Sequence, residues 1–261
     1  MQFISATTSS AILERHFTLD GITGVLWSPA CRAVDSPLLL AGHSGGMHKK
    51  APGLVATAMH VVASYGFTVA AIDAPGHGDR PRNRRDRQWA EAIHRARTAG
   101  ESIAPIVIDY TRSLAQRSVP EWQRTLDALQ SLPDIGRDAP VGYAGVTTGR
   151  VIGVMLAAAE SRIVAASFGG GFVDDNVIRA ARQVTIPVDY QIPWDDADFD
   201  RASAMALFDA FGSKEKTLHA YPGRYHPIPE HLRDEAARFL ARHLGRTATR
   251  APFESDGDGA G

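Results

Sequence analysis

The sequence predicts an α/β fold. Short apolar runs bounded by Gly or Pro alternate with stretches of helical periodicity, the pattern of a mostly parallel sheet whose strands are joined by crossover helices. The 261 residues, 44% hydrophobic and 22% charged, suit one soluble domain with a sizeable core. A third observation is an interruption: between Arg80 and Leu132 the alternation stops and about fifty residues of helical character follow, a helical insertion of the kind that caps a ligand cleft.

Taken in order, Pro37 to Gly42 (PLLLAG) reads as a buried strand. A helix carrying Leu54, Val55, Ala58 and Val62 follows the loop His43 to Met47, with Gly66 as its stop. Thr68 to Asp73 is the next strand, and the turn Ala74 to Gly78 (APGHG) follows it. Further strands are expected at Val141 to Gly145, Ile163 to Gly169, Pro187 to Gln191 and Lys216 to Tyr221, before a closing helix with Leu232, Ala236, Phe239 and Leu240 on one face. One domain over residues 1–246 is expected, with a cap at about 80–132. The tail 247–261 is too poor in apolar residues to order itself.

With 28 Lys and Arg against 29 Asp and Glu, the formal net charge of −1 argues against nucleic acid as a partner. The N-terminus lacks a basic stretch leading into an apolar run. The longest strongly apolar segment, Val151 to Ala159, is too short to span a bilayer, so a cytoplasmic protein without a membrane partner is expected. The single cysteine, Cys31, excludes an intramolecular disulfide, and no tight metal-ligand spacing occurs. No Gly-rich dinucleotide loop is present, so the chemistry is expected to need no cofactor. The partner expected is a small-molecule substrate, and a homodimer stays open.

The segment Val141 to Val154 (VGYAGVTTGRVIGV) reads as strand, turn and helix, and Gly145-Val146-Thr147-Thr148-Gly149 has GxSxG spacing with Thr147 in the place of serine. Together with His43-Ser44-Gly45-Gly46, Asp73-Ala74-Pro75-Gly76-His77-Gly78 and Trp194-Asp195-Asp196 in chain order, it resembles the α/β-hydrolase superfamily. It is most similar to bacterial dienelactone-hydrolase-like and acyl-peptidase-like members, over about Phe17 to Gly245. The resemblance implies an α/β-hydrolase fold, a nucleophile at the elbow, an acid after a late strand, a histidine before the last helix, and an oxyanion hole.

Carried over, these roles fall on Thr147 as nucleophile and on Asp196, with Asp195 beside it, as the acid. The histidine position falls on His226 if Tyr221-Pro222-Gly223-Arg224-Tyr225-His226 holds a one-residue insertion, and on Tyr225 if it does not. Gly45 and Thr148 would supply the oxyanion donors, with Ser44 and His43 lining the pocket. Trp89, Trp122 and Trp194 either pack against a flat substrate or into the core or cap, with Trp89 and Trp194 carried as substrate-binding candidates, and His77 is expected to hold its turn. Arg80, Arg82, Arg84, Arg85 and Arg87 are either a solvated cap face beside Asp79 and Asp86 or an attractor for an anionic substrate.

Threonine departs from the family pattern, because an elbow nucleophile sits at positive φ, where a β-branched residue is disfavoured. The first expectation is therefore a cofactor-free enzyme of non-acyl-enzyme chemistry on a polyfunctional metabolite, in natural-product biosynthesis: cyclisation, conjugate-addition C–C bond formation, elimination or isomerisation. The alternatives are an ester, lactone or thioester hydrolase with Thr147 as nucleophile, and a non-catalytic binder of a small molecule.

Overall fold

The computed structural model describes residues 1–31, 36–224 and 228–246. Its centre is a nine-stranded sheet of β1 (Gln2–Ser9), β2 (Ile12–Leu19), β3 (Ile22–Pro29), β4 (Leu38–Gly42), β5 (Thr68–Ile72), β6 (Val141–Gly145), β7 (Ile163–Gly169), β8 (Val188–Pro193) and β9 (Lys216–Tyr221). The spatial order is β1-β2-β3-β5-β4-β6-β7-β8-β9. The pairs from β1 to β3 and β3 with β5 are antiparallel; β5-β4-β6-β7-β8-β9 is parallel throughout.

The strands read from the sequence are present to within a residue or two, and β8 begins one residue later and ends two residues later than expected. Residues 2–29, to which the sequence analysis assigned no element, form the meander β1 to β3. Its second turn is Asp20-Gly21, both at positive φ, with Leu19 opposite Ile22: a two-residue hairpin loop whose signal is in the sequence.

Helices cover both faces. On one side α1 (Pro52–Tyr65) and α7 (Glu230–His243) bury Ala58, Val61, Val62, Ala237 and Leu240 against Trp27, Leu39, Val69 and Phe67. On the other lie α3 (Ala104–Gln130), α4 (Thr148–Ala159), α5 (Asp175–Ala181) and α6 (Arg201–Ala210). They pack on Leu40, Tyr143, Phe168 and Tyr190. The helical stretch expected over the sheet consists of α2 (Arg84–Thr98) and α3. The second half of α3 is not a cover: Trp122, Leu126 and Leu129 are core residues. No helix among the described residues is long and apolar enough to cross a membrane.

One buried ionic knot ties the ligand end of the sheet together. The fully buried carboxylate of Asp73, just past β5, accepts from Thr23 Oγ1 on β3 (2.8 Å), from Lys49 N and Nζ (2.9 and 2.5 Å) and from Asp79 N (3.1 Å). Burial by itself would raise this carboxyl, but the bonds from Lys49, Thr23 and Asp79 outweigh it and hold it below its ordinary value. Truncating Asp73 leaves Lys49, with 6% of its side chain exposed, without its buried counter-ion. Asp73→Ala is expected to lose about 3–5 kcal/mol in urea denaturation. In wild type the Asp73 contribution is present above the unfolded carboxyl value, about 3.9, and is lost as pH falls through the lower folded value.

Candidate active site

The sheet turns in opposite directions from β4, to β5 on one side and to β6 on the other. The crevice beyond the carboxyl ends of β4 and β6 is therefore where an α/β sheet places a ligand. Gly45 follows β4, and Thr147 follows β6.

Between β6 and α4 the chain makes a sharp elbow. Thr147 lies at φ 50° and ψ −112°, a region a β-branched residue adopts only when its surroundings impose it. Those surroundings are specific. Thr147 N donates to Gly170 O at 2.8 Å. A Cβ on Gly149 would stand 2.6 Å from Gly42 O and one on Gly145 2.7 Å from Gly149 O, so only glycine lets the helix start this close to the two strands. Tyr143, fully buried, donates from its hydroxyl to Gly149 O at 2.7 Å and fixes the turn from below.

The Thr147 hydroxyl oxygen accepts from Gly45 N at 3.2 Å. Thr148, buried at the first position of α4, places its Oγ1 2.8 Å from where a Cβ on Gly45 would stand. The expected oxyanion pair, Gly45 and Thr148, thus brackets Thr147 at the positive end of a helix.

His43 is a structural residue. Its Nδ1 donates to Ser44 O (2.9 Å) and its Nε2 accepts from Ala74 N (3.0 Å), so both ring nitrogens are occupied and the ring is neutral. Burial lowers its pKa to about 4. Its ring packs at 5.1 Å from that of His77, whose Nδ1 donates to Pro75 O (3.2 Å). Burial lowers His77 as well.

A cavity of about 230 Å³ opens over the elbow. Thr147, Thr148, Gly45 and His77 form its floor, and α2 with the first half of α3 supply Ala90, Ile93, Arg97, Val107 and Tyr110; Arg82, Phe172 and Phe199 complete it. Ion pairs hold this roof down: Arg80 with Glu121 (2.6 and 2.8 Å) and Arg117 with the buried Asp86 (2.7 and 3.2 Å). The arginine cluster therefore divides. Arg80 is a strut, Arg85 stacks over Trp89 (4.5 Å), Arg87 donates to Arg82 O, and Arg82 alone of the five reaches the cavity.

The tryptophans are placed differently from the expectation. Trp89 stands behind Tyr110 (5.1 Å between rings) and Trp194 lies 39% exposed under Arg201 (4.0 Å); neither lines the cavity. Ser44 and His43 face a second, apolar cavity of about 240 Å³ on the α1 side, which among the described residues shares Gly45 with the first. Sequence reasoning missed Arg97 and Tyr110, which carry no motif and reach the site only through the packing of α2 on α3.

Tyr225 and His226 lie outside the described residues, as does the tail 247–261. The segment leading to them is anchored beside the acids. Asp195 N donates to Gly223 O (3.4 Å) and Asp195 Oδ2 accepts from Gly223 N (3.2 Å), while Trp194 N donates to Tyr221 O (2.7 Å). Asp196 lies close enough to Tyr221 to add to the effect of burial, which together push that phenol up to about 12.

No protein-family model and no curated protein matches the chain in sequence. Solved structures do. A cold-adapted esterase from an Arctic intertidal metagenomic library, bound to PEG, is 29% identical, with a TM-score of 0.73 over 94% of this chain and 100% of that one. The chain has the α/β-hydrolase fold. More distant α/β-hydrolases share its fold: acetyl xylan esterase 1 from Thermoanaerobacterium sp. JW/SL YS485 (16% identity, TM-score 0.67, 92% of this chain and 86% of that one) and dienelactone hydrolase from Anabaena variabilis ATCC 29413 (18%, 0.63, 88% and 99%).

Two outcomes follow for this fold. In a nitrogen-resolved NMR titration His43 is expected to stay neutral and Nδ1-protonated from pH 8 down to about 5. Because its folded pKa lies below the unfolded value, its contribution to stability is complete above about 6.5 and erodes as pH falls toward 4. Thr147→Gly is expected to gain about 1 kcal/mol in urea denaturation, since glycine relieves the positive-φ strain.

Proposed function

We propose that this protein hydrolyses small esters through an acyl-enzyme on Thr147. The observation that carries the reading is the elbow itself: a threonine held at φ 50° with its hydroxyl on the Gly45 N–H. Strain of this kind persists where surrounding structure enforces it, and it presents the side chain to an incoming carbonyl. Two altered positions favour non-acyl-enzyme chemistry, threonine at the elbow and a histidine position that falls on Tyr225 or His226, and the second lies outside the described residues. With threonine seated in one, the hydrolytic reading is the better supported of the three, and the likeness to esterases agrees with it.

In this reading His226, oriented by Asp196, takes the hydroxyl proton as Thr147 Oγ1 bonds to the carbonyl carbon. The Gly45 and Thr148 N–H groups receive the developing oxyanion. Collapse breaks the bond to the alcohol, which leaves with the proton from His226. A water molecule then attacks the acyl carbon and gives a proton to the same histidine, which returns it to Thr147 Oγ1 as the acyl–Oγ1 bond breaks, releasing the carboxylic acid and free Thr147. Both acids accept a backbone N–H, Asp195 from Gly223 and Asp196 from Asp198, and Asp195 is the lesser candidate because it also faces Arg201 at 4.0 Å. The cavity over the elbow, at about 230 Å³, sets a small substrate with apolar contacts to Ile93, Val107 and Phe172.

Intact-mass spectrometry after fluorophosphonate treatment tests this. Wild type is expected to gain one adduct on Thr147, and Thr147→Ala and His226→Ala none. Thr147→Ser, which removes the methyl that crowds the attack, is expected to label about tenfold faster, equal to about 1.4 kcal/mol off the barrier. A folded wild type without adduct and without turnover of activated esters refutes the proposal.

A further inference from the structure

Arg150, three residues after Thr147, is a fully buried guanidinium that the mechanism above does not use. Three features make its position unfavourable. It lies in the first turn of α4, where the helix dipole repels a cation. Nη2 donates to Phe172 O, but among the described residues Nε and Nη1 are buried with no well-aligned hydrogen-bond partner, the Tyr190 hydroxyl lying near the guanidinium. Among the described residues it also lacks a directly paired counter-ion. The groups that act on it are Tyr190, whose buried hydroxyl makes no well-aligned hydrogen bond, and Asp174. Asp174 is already bonded to Arg112 Nε and Nη2, to Asn176 and to Val177 N. A guanidinium does not escape such a site by losing its proton, so the charge is permanent.

Its location explains what the charge does. The point that a Cβ on Gly171 would occupy lies 3.0 Å from Thr147 Cα and 3.1 Å from Arg150 Nη2, so these two atoms are at most about 6 Å apart. The intervening backbone is the segment from Gly170, which holds Thr147 N, to Phe172, which lines the substrate cavity. The uncompensated cation therefore sits directly behind the elbow, in a water-poor interior where charges act strongly over that distance.

We propose that Arg150 is a positioning residue of this elbow. Its permanent positive charge, left without a counter-ion behind Thr147, favours the states in which negative charge develops on the Thr147 oxygen and on the substrate oxyanion. The inference rests on the hydrolytic reading of Thr147. A hydroxyl crowded by a methyl gains from such a field, and a carboxylate partner for Arg150 would cancel it. The field acts on the reacting oxygens through the protein interior, without contact with the substrate.

A charge kept at the expense of stability has a signature that a structural prop lacks. Arg150→Met keeps most of the volume and removes the charge. It is expected to raise the urea midpoint and to slow fluorophosphonate labelling of Thr147 by roughly 10–100-fold, with a matching fall in kcat on an activated ester and KM within about twofold. Arg150→Lys, which retains the charge, is expected to label within about fivefold of wild type. An Arg150→Met that labels as fast as wild type overturns the proposal, and so does one that labels slowly while unfolding at lower urea. If that variant does not fold, Arg150→Gln is judged by the same pair of readouts. A wild type that takes no label overturns the nucleophile and this role together, whereas a labelled wild type with an equally fast Arg150→Met overturns the role of Arg150 alone.

Discussion

The structure depends on one close approach, that of the start of α4 to the ends of β4 and β6. Gly42, Gly145 and Gly149 meet there with no room for a side chain, and the backbone is forced through a positive φ at Thr147. Everything that makes the crevice a site follows from that contact. The helix dipole points at the turn, the Gly45 N–H reaches the threonine oxygen, and the Thr147 N–H is anchored on Gly170. A β-branched side chain raises the energy of this turn, yet the three glycines and the Tyr143 hydroxyl leave the chain no other route.

Around the elbow, polar groups are committed to holding backbone. The Asp73 carboxylate binds together β3, the loop after β4 and the turn after β5, and His43 spends both ring nitrogens on backbone atoms of its own loop and of Ala74. The roof is clamped by Arg80 on Glu121 and Arg117 on Asp86. Among the described residues beside the elbow Arg150 differs, a buried cation with two guanidinium nitrogens left unbonded. Buried polar groups are as a rule hydrogen-bonded, so each such case carries physical weight.

Much of the parallel half of the sheet was legible, because its strands are apolar on both faces and punctuated by Gly and Pro. The meander of residues 2–29 was missed: β1 is largely exposed and β2 mixes half-buried polar residues with its apolar ones, so neither reads as a buried strand, although Asp20-Gly21 between Leu19 and Ile22 marks the hairpin. The glycine spacing around Thr147 located the elbow. It could not tell that threonine would be held in the elbow conformation, nor that Trp89 and Trp194 would turn away from the cavity while Arg97 and Tyr110 turned toward it. The placement of Trp89, Arg97 and Tyr110 follows from how α2 packs on α3, a contact between helices whose sequences encode only their own amphipathic faces, while Trp194, just past β8, is held under Arg201.

The sequence by itself determined the class of fold, the order of the parallel strands along the chain and the position of the sharp turn at Thr147. These are set by local periodicity, by glycine spacing and by backbone sterics. Tertiary structure decided which charges are neutralised and which are not. In the sequence Arg80, Arg82 and Arg150 are three arginines; in the fold one is a strut, one faces a cavity and one is sealed without a counter-ion behind Thr147. The physical reason is that desolvation and pairing depend on neighbours from distant parts of the chain, brought together only when the sheet and its helices close.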